Sequence, residues 1–200
     1  MLLYHGKIII ASKRKRGLYS VLGGKMYFIS LYFDEKTNEQ IQRYIDKIAE
    51  MSGNVFMTEN HVPPHITVSS FEMGDNVRII EKLRKKAEIL SSGEVIWCSV
   101  GMFFPSVIYI TPVLNNYLQN LSKNFYNIFL QEENISVSPY YRPMQWLPHA
   151  TVGKKLTGGE MLQAVQVLQG EFGMFRGKVT HIGLAKTNPY KELWRVELKM

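Results

Sequence analysis

Five residues recur in this 200-residue chain in almost the same form: Pro64-His65-Ile66-Thr67-Val68 and Pro148-His149-Ala150-Thr151-Val152. With five His and eight Thr, chance supplies about 0.2 His-x-Thr triplets. Two are present, and both carry the same Pro before the His and the same Val after the Thr. A duplicated lobe explains the recurrence. The fold must then bring two copies of one short extended segment to comparable places.

Side-chain direction says what such a segment does. In an extended strand residues i and i+2 share a face, so each His lies beside its Thr. Ile66 and Val68, or Ala150 and Val152, point the other way into an apolar layer, where β-branched residues favour the strand. Pro64 and Pro148 argue against helix and fit a strand entrance.

The chemistry of this set is proton transfer at phosphorus. Imidazole titrates near pH 6.5 and serves as base or acid, so two of them can divide the roles. One takes a proton from an attacking water and the other protonates the departing ribose oxygen. Each Thr hydroxyl can donate to a non-bridging phosphate oxygen.

These residues resemble the 2H phosphoesterases, a family named for paired His-x-Thr/Ser-x motifs that includes the bacterial 2′-5′ RNA ligase-like proteins and 2′,3′-cyclic phosphodiesterases. Both motifs match in full, and the resemblance covers roughly residues 26–200. It implies an α+β fold of two pseudo-symmetric lobes, each an antiparallel-type sheet with helices, around a central cleft. It also implies cleavage of cyclic or 2′-5′ phosphodiesters with no metal and no cofactor.

Composition sets the remaining bounds. Two hundred residues, 46% of them hydrophobic, can bury a sizeable core in one large domain or two fused lobes. The single cysteine, Cys98, permits no internal disulfide and suits a reducing, cytoplasmic setting. Its Ile96-Trp97-Cys98 context reads as buried strand before it reads as nucleophile.

The net charge of +7 is concentrated at one end. Lys7, Lys13, Arg14, Lys15, Arg16 and Lys25 supply +6 with no acidic residue before Met26, leaving +1 for residues 26–200. Bulk charge therefore says little about the main body's ligand, and any phosphate attraction there is local. Residues 1–25 read as a basic N-terminal extension. The apolar run Ile8-Ile9-Ile10-Ala11 is too short for a membrane span, and the basic cluster follows it, the reverse of a secretory signal. Gly23-Gly24-Lys25 can be encoded by a purine-rich stretch resembling a bacterial ribosome-binding site, which makes Met26 a candidate natural first residue.

From Met26 the chain reads strand, helix, motif strand, helix, and then repeats that order. Tyr27 to Phe33 fits a strand. Thr37-Asn38-Glu39-Gln40 reads as a capping box ahead of Ile41, Tyr44, Ile45 and Ile48, with Gly53 as the stop. A second helix is expected from Asp75 to about Leu90, with Ile80, Leu83, Ala87 and Leu90 on one face. The second half starts with strand-like Val107 to Thr111, and Pro112 is read as the first turn of a helix carrying Leu114, Leu118, Leu121, Phe125 and Ile128. Thr157-Gly158-Gly159-Glu160 is another capping box, followed by Leu162, Val165 and Leu168, with Gly170 as the stop. Lys178 to Ala185 and Glu192 to Lys199 read as a hairpin joined through Asn188-Pro189.

Other candidates weigh less. His61 and His65 have an i, i+4 spacing that converges on a metal only in a helix, and Pro63-Pro64 lies between them, so no metal is expected. His181 reads as structural. Tyr140, Tyr141, Arg142 and Trp146 lie in a Pro-broken loop able to cover a cleft, where Tyr141 could stack on a base and Arg142 pair with a phosphate. The alternative is a loop that anchors its aromatics in the core. Lys154 and Lys155 read as solvated.

Three functions fit. The first is a monomeric phosphodiesterase, with no membrane partner, that acts on 2′,3′-cyclic or 2′-5′-linked nucleotides or RNA ends. His65 and His149 are its acid and base, and Thr67 and Thr151 its phosphate donors; reversal would give 2′-5′ ligation. The second is an RNA-end-binding module without turnover. The third is a hydrolase of a small cyclic phosphate unrelated to RNA.

Overall fold

The computed structural model describes residues 25–187 and 191–200. Ile8 to Ile10, Lys13 to Arg16 and the Asn188-Pro189 turn lie outside the described residues. The described elements are β1 (Lys25–Phe33), α1 (Glu35–Ser52), α2 (Phe56–Glu59), β2 (Ile66–Met73), α3 (Val77–Ala87), β3 (Gly93–Phe103), β4 (Val107–Pro112), α4 (Asn116–Phe129), β5 (Ser136–Val137), β6 (Ala150–Lys154), α5 (Gly158–Glu171), β7 (Phe175–Lys186) and β8 (Lys191–Glu197).

The fold is α+β, and its strands pair antiparallel in the order β5-β2-β1-β7-β3-β4-β6, with β8 on β7. The two halves join in one sheet because β7 is long enough to serve both. Phe175 to Val179 pair with β3, while Val179 to Lys186 pair with β1. β8 takes up the edge that β3 leaves, from His181 onward.

Helix periodicity places most of the core as expected. Ile41, Tyr44, Ile45 and Ile48 of α1 are buried, as are Leu118, Leu121 and Phe125 of α4. The helices, however, cross between halves. Besides its own half's β1, α1 packs on α5, β7 and the second motif strand β6, while α4 packs on the first motif strand β2. Phe129 of α4 meets Phe71 of β2 at a centroid distance of 4.5 Å.

Several boundaries differ from the sequence reading. Asp34, not Thr37, caps α1: its carboxylate accepts from the Thr37 N–H at 3.0 Å and the Thr37 hydroxyl at 2.8 Å. It also accepts from the Lys178 N–H at 2.8 Å, tying the helix start to β7. Pro112 ends β4 opposite Trp97 instead of opening a helix, and Asn115 caps α4 by accepting from the Leu118 N–H. α3 begins after Asn76, and Ile79 replaces Ile80 as its buried residue. In α5 the capping box forms as expected, but the buried face is Met161, Ala164, Val167 and Leu168, and Leu162 is exposed. Gly170 lies inside the helix, which runs on to Glu171.

Candidate active site

Both motifs enter the sheet in the same way. β2 begins at the residue after His65, and β6 at the residue after His149. Ile66, Val68, Ala150 and Val152 are buried, while His65, Thr67, His149 and Thr151 are half-buried. The alternation is that of a strand with one apolar and one open face.

A second shared feature concerns the ladders. Thr67 faces Ser30 and Ser69 faces Ile29, so Val68 is an extra residue against adjacent partners on β1. Thr151 faces Tyr109 and Gly153 faces Ile108, which leaves Val152 as the extra residue against β4. Each motif thus carries a one-residue bulge at its valine. Bulges bend a strand and re-aim the neighbouring side chain.

The imidazoles are held alike. His65 Nδ1 lies 2.9 Å from the Pro63 carbonyl, and His149 Nδ1 lies 2.9 Å from the Leu147 carbonyl. A carbonyl only accepts, so Nδ1 donates and carries the proton of the neutral ring. Nε2 is left to exchange a proton. Burial lowers the pKa of both rings, opposed in each case by the carbonyl bond. His65 is lowered further by the positive charges of His149, Lys154 and Arg195.

Aromatic rings back each histidine. Tyr109 and Phe103 lie 5.1 and 4.9 Å from His149, centroid to centroid. Gly101 faces Tyr109 across β3 and β4, and a Cβ there would come 2.5 Å from the Tyr109 hydroxyl, so glycine makes room for the ring. Tyr32 lies 6.3 Å from His65, with the Arg195 guanidinium 3.8 Å above its centre.

His65, Thr67, His149 and Thr151 line one cleft of about 820 Å³. Tyr140, Tyr141, Trp146 and Leu147 line it too, so the loop ahead of the second motif does reach the cleft. Trp146 is buried and Tyr141 half-buried, and burial pushes the Tyr141 hydroxyl above its ordinary pKa. Arg142 is exposed and is not among the lining residues. Lys154, read from sequence as solvated, is exposed and also lines the cleft. It follows the second motif at the end of β6, and that position was its sequence signal. The Lys154 and Lys155 ammonium groups lie 6.0 and 4.3 Å from the Phe56 ring centre.

The remaining candidates sit apart. His61 is exposed at the end of the short helix α2, and His181 lies in β7 with Nδ1 2.9 Å from the Thr180 hydroxyl. Cys98 is half-buried in β3, its thiol 3.5 Å from the Thr111 carbonyl. Among the described residues, no three His, Cys, Asp or Glu side chains gather as a metal-holding group.

The family model for the 2′-5′ RNA ligase superfamily matches residues 37–190, which include both motifs. The chain belongs to the 2′-5′ RNA ligase superfamily. The expected likeness to the 2H phosphoesterases is thereby shown. No curated protein matches the chain significantly in sequence. Among solved structures, E. coli LigT complexed with 3′-AMP is similar at 15% identity and a TM-score of 0.58, with 88% of this chain and 99% of that one covered. A phosphoesterase of known crystal structure is similar at 14% identity and a TM-score of 0.58, with the same coverage. The protein TT0787 of Thermus thermophilus is similar at 12% identity and a TM-score of 0.56, with 87% and 98% covered. At these identities the likeness shows the superfamily's fold.

Proposed function

We propose that this superfamily member is a metal-independent phosphodiesterase acting on 2′,3′-cyclic or 2′-5′ phosphodiesters of nucleotides or RNA ends. One observation carries the reading. Two imidazoles, each with Nδ1 fixed on the carbonyl two residues upstream, line one cleft beside two threonines. In cyclic-phosphate hydrolysis, one neutral Nε2 takes a proton from water as the water oxygen bonds to phosphorus. The other imidazolium gives its proton to the ribose oxygen as the P–O bond breaks. The product is a phosphomonoester beside a free hydroxyl, and the two rings have exchanged protonation states. Thr67 and Thr151 donate to the non-bridging oxygens.

Burial holds both rings below the ordinary imidazole range, with Lys154 and Arg195 also acting against charge on His65, and either ring can serve as the base in this reading. The complex of LigT with 3′-AMP supports a nucleotide as substrate. The test is turnover of nucleoside 2′,3′-cyclic phosphates and 2′-5′ dinucleotides by purified protein after exhaustive chelation. We expect full activity. Activity lost to chelator and restored by zinc or manganese would overturn the metal-free mechanism.

A further inference from the structure

We infer that the cleft is built for a single nucleotide unit, one phosphodiester with one base, and not for an extended RNA strand. This rests on the phosphodiesterase reading above.

Charge is the first argument. Lys154 is the one lysine or arginine among the described lining residues, one imidazolium joins it in the reactive form, and no carboxylate lies beside them. These two charges face the one phosphodiester being cleaved. A strand would bring a further negative charge at every phosphate, each needing its own cation. Arg195, the other cation acting on His65, is engaged by Glu192 through contacts of 2.6 and 3.1 Å and stacks on Tyr32. It is not a lining residue, and neither is Arg142.

The second argument is the wall. Phe103, Tyr140 and Leu147 line the cleft and yet are 41%, 73% and 44% exposed. A planar base laid on such surfaces removes them from water and stacks without needing base-specific hydrogen bonds. The volume of about 820 Å³ falls in the range of roughly 300–1,000 Å³ usual for small-molecule sites.

The experiment compares three substrates with the full chain across a salt titration: a nucleoside 2′,3′-cyclic phosphate, glycerol 1,2-cyclic phosphate, and an RNA of about ten nucleotides ending in a 2′,3′-cyclic phosphate. We expect kcat/KM for the nucleoside ester to exceed that for the glycerol ester by about tenfold or more. The RNA should match the nucleoside ester within about threefold, with a logarithmic salt slope no steeper than about one for either. Tyr140→Ala should raise KM for the nucleoside ester by about fivefold or more. Equal use of the glycerol and nucleoside esters would overturn the inference. So would an RNA advantage with a steep salt slope that persists when Lys13, Arg14, Lys15 and Arg16 are all replaced by Gln. An advantage lost in that variant belongs to the extension and supports the cleft assignment. Turnover of none of the three would sink the phosphodiesterase reading itself, and this inference with it.

Discussion

Trp146 donates its indole N–H to the main-chain carbonyl of Thr67 at 2.9 Å. The loop leading into the second motif is thereby pinned to the strand of the first. Its far end is held as well, since the Thr111 hydroxyl donates to the Pro148 carbonyl at 2.7 Å. Trp146→Phe should leave that carbonyl short of a partner and cost about 1–3 kcal/mol of stability. We expect a lower thermal midpoint, with kcat reduced more than KM is raised. Unchanged midpoint and kcat would mean that the bond carries no energetic weight.

Removing either imidazole should stop the reaction while the fold persists. His65→Ala and His149→Ala are each expected to lower kcat by ~10²–10⁴-fold, the usual worth of general acid or base catalysis. Circular dichroism and steady-state kinetics check both points together. Near wild-type turnover by either variant would refute the assignment.

The threonines should matter less than the histidines, since water can partly replace a hydroxyl. Loss of one preorganised donor still costs up to ~10²–10³-fold. Thr67→Val and Thr151→Val test this as isosteric changes. Two variants matching wild type would remove the phosphate-donor role.

Both imidazole pKa values lie below the ordinary value near 6.5. Catalysis needs one ring charged and one neutral, and that form peaks between the two values. The optimum of kcat/KM, which reports the free enzyme, should therefore lie below pH 6.5 and fall on both sides. Lys154→Met removes a positive charge acting on His65 and should move the optimum upward. An optimum above pH 7 in the wild-type protein would contradict the assigned surroundings.

Glycine at position 101 should be required for the placing of His149. Gly101→Ala puts a methyl group against Tyr109, so that ring must shift, and His149 packs on it. Overpacking of this kind typically costs about 1–3 kcal/mol. We expect lower thermal stability and lower kcat. Wild-type values for both would show that Tyr109 relaxes without disturbing the histidine.

Much of the candidate site was legible in the sequence because its signals are local. The His-x-Thr spacing decides which side chains share a strand face, and flanking Pro and Val make that strand more favourable than helix. Helix periodicity marked Ile41, Tyr44, Ile45 and Ile48 for the same reason: it follows from backbone geometry within a few residues.

Tertiary structure decided the rest, because it depends on partners far apart in sequence. Asp34 caps α1 with a carboxylate that also holds Lys178, 144 residues away, whereas Thr37 offered a capping pattern from local sequence alone. Leu162 looked like core by spacing, but α5 packs against α1 and β4 with Met161 and Ala164 buried and Leu162 exposed. Lys154 and Arg142 are both basic residues near the second motif. Only the path of β6 and the exposed course of the loop decide that Lys154 lines the cleft and Arg142 does not. The twin bulges at Val68 and Val152 are set by the register against β1 and β4, which no residue in either motif specifies by itself. The sequence by itself thus determined two matching His-Thr pairs on strand faces. Bringing them to one cleft required β7 to pair with both halves and α1 and α4 to cross between them, and burial of those shared apolar faces holds that arrangement.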